Sequence, residues 1–207
     1  MTKKEFSTHL SDRWYFYVLW ALAVLIISSW SITFAASPKK REKVSIFLTA
    51  YDCNTEGLYN YLNDGRPEYL KKVELNYYSP TNEYYSTFFQ AYDQMADIII
   101  IKGDYLDSVG YERYLSFSIT EISNLCPDSY ELVSKDETYY GVKIHKKGEE
   151  GGMLSEYITY TKTTEDEVLD DDYYLFIRRE SLHMGEYNNS KLDGAISIIR
   201  KMLKYES

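Results

Sequence analysis

"ADIIIIKGDYLDSVG", residues 96–110, sets four isoleucines in a row and then breaks at a lysine, a glycine and an aspartate. A strand with one wet face alternates apolar and polar residues. Four consecutive apolar residues describe a strand covered on both faces, the state that helix-flanked parallel sheets impose. The run is far too short to cross a bilayer, which takes about 20 residues. Ile98 to Ile101 are therefore read as a central strand, and the residues from Gly103 as a loop opening a short helix.

Working outward, the flanks repeat the same alternation of element types. Val44 to Ala50 ("VSIFLTA") reads as a strand, followed by a polar loop and a helix with Leu58, Tyr61 and Leu62 on one face. Thr55 is its expected N-cap and Asp64-Gly65 its stop. Lys72 to Pro80 reads as a second strand. In the helix that follows, Tyr85, Phe88, Phe89 and Tyr92 form an apolar stripe, with Thr81 or Asn82 as cap. Strand, helix, strand, helix, strand is the pattern of successive βαβ units and a parallel sheet. Downstream, "SYELVSKDETYYGVKIH" reads as a β-hairpin turning at Lys135-Asp136-Glu137, and "KKGEEGG" as a flexible turn. "TEDEVLDDD" reads as a solvated acidic loop without the calcium spacing of an EF-hand, and Tyr173 to Arg179 as a strand. Leu192, Ala195, Ile196, Ile199 and Leu203 mark a closing amphipathic helix with Ser190 as N-cap. The expected fold is one α/β domain with a mostly parallel sheet, flanking helices and an antiparallel strand or hairpin.

Ahead of this domain, Trp14 to Ala36 carry no charge. At 1.5 Å per residue such a helix spans the ~30 Å hydrocarbon core, and its terminal tryptophans and tyrosines suit the interfaces. A signal peptide cut near Thr33-Phe34-Ala35 is the rival reading, disfavoured because signal apolar regions run roughly 7–15 residues. The chain divides into a tail (1–13), a single transmembrane anchor (14–36), a basic linker (37–43) and the α/β domain (44–207). Lys39, Lys40, Arg41 and Lys43 outnumber Lys3, Lys4 and Arg13 by one, a margin that leaves the orientation open.

The whole chain carries a net charge of −9. Without residues 1–36 there remain 20 basic and 30 acidic residues, a net charge of −10, which argues against nucleic acid or anionic lipid as the main partner. Cys53 and Cys126 allow either one disulfide or two buried thiols. His145 and His183 have no metal-ligand spacing with each other or with the cysteines, and no hydrolase or nucleotide motif occurs. No cofactor and no catalytic residue is expected. Arg178 and Arg179 are adjacent on a strand, so they are expected to point to opposite faces and not to converge on an anion. The pairs Tyr77-Tyr78, Tyr84-Tyr85, Tyr139-Tyr140 and Tyr173-Tyr174 are expected to divide between the core and exposed, interface-forming positions.

"KVSIFLTAYDCN", "ADIIIIKGDYLDSVG", "YYGVKIH" and "YYLFIRRESLHMGEYNNSKLDGAISIIRKML" occur in that order. The series resembles segments of the extracytoplasmic solute-binding proteins of sugar-type ABC transporters. The resemblance implies a periplasmic-binding-protein-like lobe, a ligand-side loop after the first strand, and a last strand that returns to the first lobe from the second. It departs from that pattern at Lys147 to Asp171, about 25 residues, too few for a second α/β lobe built of units of roughly 30 residues each. The chain resembles one lobe with its partner deleted.

In open α/β sheets ligands bind beyond the carboxyl ends of the strands. That places Tyr51, Asp52 and Asn54 after the first strand, Tyr78, Ser79 and Thr81 after the second, and Lys102 and Asp104 after the third. They are candidates for contact with a ligand or partner, or else ordinary caps and turn residues. The functional expectation is an accessory or subunit of an ABC-type, carbohydrate-handling transporter. It would be anchored in the cytoplasmic membrane with its domain outside the cytoplasm, bind the transporter's membrane subunits and do no chemistry. The alternative is weak direct carbohydrate binding through the strand-end loops.

Overall fold

The computed structural model describes residues 3–126, 130–165, 167–184 and 193–204. The chain divides into two compact units, Met1–Pro38 and Lys39–Ser207. The first is a helix, α1 (Lys3–Ala36), with one non-helical residue at Arg13. Residues 3–12, expected as a tail, are thus helical. Arg13–Ala36 is long and apolar enough to cross a membrane, with a mean hydropathy of 2.0.

The second unit is built from β1 (Lys43–Thr49), β2 (Asp52–Cys53), α2 (Thr55–Asn63), β3 (Lys72–Tyr78), α3 (Tyr85–Asp93), β4 (Ile98–Lys102) and α4 (Gly103–Val109). These are followed by α5 (Ile119–Ser123), β5 (Glu131–Lys135), β6 (Thr138–His145), β7 (Ile158–Thr159), β8 (Thr161–Thr163), β9 (Val168–Asp170), β10 (Tyr173–Ile177) and α6 (Gly194–Met202). Six strands form one sheet in the order β3-β1-β4-β10-β6-β5. β1 pairs in parallel with β3 and β4, whereas β10 runs antiparallel to both β4 and β6, and β6 antiparallel to β5. The sheet is therefore mixed and not mostly parallel. The cause is the insertion of β10 between β4 and the hairpin, which reverses direction at the sheet's centre.

The isoleucine strand is covered on both sides. Ile98 and Ile100 join Val44, Ile46 and Leu48 in a layer packed on Leu58 and Leu62 of α2 and on Ile198, Ile199 and Met202 of α6. Ile99 and Ile101 belong to the opposite layer with Phe47, Tyr85, Phe89, Tyr114 and Phe176. All four isoleucines are fully buried. The tyrosine pairs divide between the layers as period-two geometry demands. Tyr77, Tyr139 and Tyr173 lie with the first layer, and Tyr78, Tyr140 and Tyr174 with the second. Tyr84 is exposed and Tyr85 buried.

Asn54, not Thr55, caps α2, accepting a hydrogen bond from the Gly57 N–H. Ahead of α3, Asn82 Oδ1 accepts from the Tyr84 N–H. α6 starts at Gly194 with Asp193 in the N-cap position, while the expected cap Ser190 and the stripe residue Leu192 lie outside the described residues. At the amino end of the sheet, Asp97 accepts from the Ser45 N–H (2.9 Å) and Ser181 Oγ (2.7 Å). Buried His183 donates from Nε2 to the Lys43 carbonyl (2.9 Å).

Gly141 on β6 faces β10 so closely that a Cβ there would strike the Leu175 carbonyl oxygen and the Phe176 ring. Gly141→Ala should destabilise the protein by about 1–3 kcal/mol through overpacking. Ile100→Ala should cost about 2–5 kcal/mol as a core truncation. Chemical unfolding followed by near-ultraviolet circular dichroism of the tyrosine-rich domain reads both. Losses within a few tenths of a kcal/mol would contradict the inserted position of β10.

Candidate functional site

The carboxyl ends of β1, β4 and β6 and the amino end of β10 meet at one edge of the sheet, where Tyr173 sits opposite both Lys102 and His145. Three consecutive aspartates lead into β10 along this edge, and each takes a different basic partner. Asp170 Oδ1 meets His145 Nε2 at 2.9 Å. Asp171 Oδ2 lies 2.8 Å from Lys102 Nζ and accepts from the Tyr51 hydroxyl at 3.2 Å. Asp172 accepts from the Lys147 N–H at 2.8 Å, and its other oxygen lies 3.4 Å from Lys143 Nζ. Of the expected solvated acidic loop, Glu165 and Glu167 are exposed as expected, while Asp170 to Asp172 form a bracket across the strand ends. Its sequence signal was present: an aspartate run abutting a strand, in a chain where β4, β5 and β6 end in lysine or histidine.

The charge states follow from these contacts. Burial opposes the Lys102 ammonium, but hydrogen bonds to Asp171 and Asp104 outweigh it and raise its pKa above the ordinary lysine range. Burial likewise opposes the Asp170 carboxylate, yet the His145 ring and the Gly148 N–H hold its pKa below the usual value. Asp172 is lowered too, burial being outweighed by the Lys147 N–H and the Lys143 charge. The Tyr173 hydroxyl is buried without a hydrogen-bond partner, and desolvation raises its pKa far above that of a free phenol.

Of the eight strand-end candidates, Tyr51, Lys102 and Asp104 come together, all through Asp171 and Lys102. The others do not join them. Asp52 is exposed and accepts from the adjacent Cys53 N–H. Asn54 is a helix cap. Tyr78 lies in the second layer, its ring 4.6 Å from that of Phe88 and 5.6 Å from that of Phe47. Ser79 and Thr81 hydrogen-bond each other at 2.9 Å. Sequence order placed all eight beyond strand ends, but side-chain direction within the two layers separates them.

The edge is roofed by the chain itself. The Tyr51 N–H donates to the Thr159 carbonyl and the Asn54 N–H to the Tyr157 carbonyl, so β2 and β7 form a short ladder beyond the end of β1. Met153, Leu154, Ile158 and Tyr160 from this roof are buried in the first layer. Tyr160 stacks on His145 with ring centroids 4.8 Å apart and its hydroxyl donates to the Met153 carbonyl. Two open clefts of about 350 Å³ each flank the turn at Glu149–Gly151, one lined by Tyr130, Glu131, Lys143 and Lys146, the other by Ser155, Thr159, Thr161 and Asp170.

Cys53 and Cys126, both among the described residues, are thiols and are not joined. Burial, with the nearby Asp52 charge, pushes the Cys53 thiol up to about 12, so it is protonated and a poor nucleophile at neutral pH. Arg178 and Arg179, expected to diverge, line a single cleft at the opposite edge of the sheet. No protein-family model matches the chain, and no curated protein or solved structure matches it either.

The aspartate bracket makes stability depend on pH with a definite sign. Asp170 and Asp172 have folded pKa values below their unfolded ones. The unfolded chain therefore binds more protons in this range, and the stabilisation is complete above the unfolded carboxylate pKa of about 4. It is lost as pH falls through the lower folded values. Denaturant midpoints measured from pH 7 down to pH 3 should decline, and the double variant Asp170→Asn/Asp172→Asn should show a shallower decline from a lower starting point. An unchanged slope in that variant would show that these carboxylates carry none of the dependence.

Proposed function

We propose that this chain is a membrane-anchored, extracytoplasmic accessory or subunit of an ABC-type, carbohydrate-handling transporter, and that its domain binds a partner protein and does no chemistry. The observation that carries the reading is the roof. In the solute-binding proteins that the sequence resembles, the segment after the "YYGVKIH" hairpin leads toward a second lobe, and a late strand returns. Here the segment between β6 and β10 folds back over the strand ends, and the returning strand takes a central place in the sheet. A lobe closed in this way has no opposing wall to enclose a ligand, and tight small-molecule sites bury 70–90% of the ligand surface.

The chemistry at the edge points the same way. Tyr51 and Lys102, the two strand-end groups best suited to hold a ligand, are engaged by Asp171, and the Cys53 thiol is protonated at neutral pH. Direct carbohydrate binding at these loops would have to compete with an ion pair already made. Tethering through α1 would keep the domain beside a membrane partner at high effective concentration, so modest affinity suffices.

Full-length protein purified gently from its native membrane should bring transporter membrane subunits with it in stoichiometric amount, identified by mass spectrometry. Recovery of the protein alone, with or without mild cross-linking before solubilisation, would remove the accessory reading.

A further inference from the structure

His145 is the last residue of β6, and its side chain is only 2% exposed. Nδ1 lies 2.6 Å from the Gly151 carbonyl oxygen, and Nε2 lies 2.9 Å from Asp170 Oδ1. A carbonyl oxygen can only accept, so Nδ1 carries a hydrogen. Asp170 is held ionised by its own contacts, so it too can only accept. A neutral imidazole has one N–H, yet this ring faces two acceptors. His183 offers the contrast within the same chain. Its Nε2 donates to the Lys43 carbonyl and its buried Nδ1 has no hydrogen-bond partner, so one N–H satisfies that ring.

The turn held by His145 has little else to fix it. Residues 146–152, "KKGEEGG", are all exposed, and Gly148, Gly151 and Gly152 take positive φ values of 82°, 98° and 138°. Two further ties run from the turn to the aspartate bracket: the Gly148 N–H donates to Asp170 Oδ2 at 2.6 Å and the Lys147 N–H to Asp172. The same turn is the wall between the two open clefts of about 350 Å³, since Glu149, Glu150 and Gly151 line both. His145 lines both as well.

The other charges beside the ring are already matched. Lys143 pairs with Glu131 and Asp172, and Lys146 pairs with Glu149, while Glu150 stands exposed on the turn. Tyr160 stacks on the ring and Tyr173 is tilted against it at 6.0 Å; burial keeps both phenols neutral. Asp170 is therefore the countercharge of His145.

We propose that the turn 146–152 is a proton-operated latch, closed while both ring nitrogens of His145 carry hydrogens and released when one is lost. A ring with a single N–H presents a lone pair to one of its two acceptors, and that contact breaks. Either break loosens the turn, because Gly151 is held directly and Gly148 is held through Asp170. Release joins the two clefts and uncovers the end of β6, so the surface offered at this edge changes as pH rises. The latch is independent of the transporter reading, because the bonding constraint holds whatever meets this edge.

The test uses full-length protein in detergent micelles with 15N-labelled histidine and glycine, whose totals of three and ten keep the spectra sparse. Ring-nitrogen resonances count the hydrogens on His145, and the Gly148, Gly151 and Gly152 amides report the turn. Both are followed over roughly pH 5 to 9, the range in which imidazole titrates. Two ring hydrogens are expected at the acid end, and the loss of one should share its midpoint with the glycine shifts. Asp170→Asn is the deciding variant. Its amide nitrogen can donate to Nε2 and its oxygen can still accept from Gly148, so a ring with one N–H satisfies both neighbours. The turn should then stay closed, with glycine signals that no longer follow pH. His145→Gln, which has no titrating ring, should also remove the response, and it serves where Asp170→Asn disturbs the fold. A His145 ring whose hydrogen count never changes, glycine signals that stay fixed while it changes, or an undiminished response in these variants would overturn the latch.

Discussion

Three neighbouring carboxylates cannot share one environment, and Asp170, Asp171 and Asp172 settle their repulsion by taking separate partners, the His145 ring, Lys102 and Lys143. His145 and Lys143 come from β6, and Lys102 comes from β4. These two strands are the neighbours of β10 in the sheet. The bracket is therefore a register device as much as a set of ion pairs: if β10 slipped by one residue against β4 or β6, each aspartate would face the wrong partner and every β10 side chain would change layer. Removing one partner of such a poorly solvated pair leaves the other charged and undersatisfied, which costs more than the intact pair contributes.

The two layers that this register separates differ in character. The first is mainly aliphatic, with Val, Ile and Leu side chains from the strands meeting α2 and α6. The second is an aromatic stack in which Phe47 lies among Tyr78, Tyr85, Phe89 and Tyr92 at centroid distances of 5.6 to 6.4 Å. Tyrosine in a core must place its hydroxyl, and Tyr85 does so on Thr49 at 2.6 Å. The same residue thus packs α3 against the sheet and ties it to the end of β1. The abundance of tyrosine in this chain follows from the construction of that layer as well as from any surface role.

What could be read in advance was what depends on local pattern. The four isoleucines, the apolar stripe of α3 and the hairpin turning at Asp136-Glu137 each declare themselves within a dozen residues, and each forms as expected. The insertion of β10 between β4 and β6 is a decision between elements about 70 residues apart, taken by packing and by the aspartate pairs, and no periodicity records it. The acidic run misled for a related reason. Consecutive aspartates look solvated until the strand ends that neutralise them are known. Arg178 and Arg179 misled in the opposite sense, because strand alternation was extended one residue past the end of the ladder at Ile177. Of the strand-end residues, the position along the chain was legible. The layer each side chain enters, which separates Tyr78 from Tyr51, was not.

The internal use of cations also shapes what the outside of the domain can bind. Lys102 and Lys143 are spent on the bracket, Lys43 on Glu74, and the Arg178 side chain on the amino-end cleft. Each of these side chains is at most one-third exposed. Their positive charge is partly withdrawn from the surface, while exposed carboxylates such as Asp104, Glu149, Glu156 and Glu180 remain. The carboxylates that pair with these lysines, Asp171, Asp172 and Glu74, are withdrawn with them, so the surface keeps the acidic balance of the net charge. A macromolecular partner that docks broadly on this domain has to be neutral or basic where it meets that surface, since like charges across an interface select against a complex. The two ends of one sheet are thus chemically distinct: one is closed by its own aspartates, and the other carries a cleft lined by Arg113, Arg178 and Arg179 together with Glu112 and Glu180.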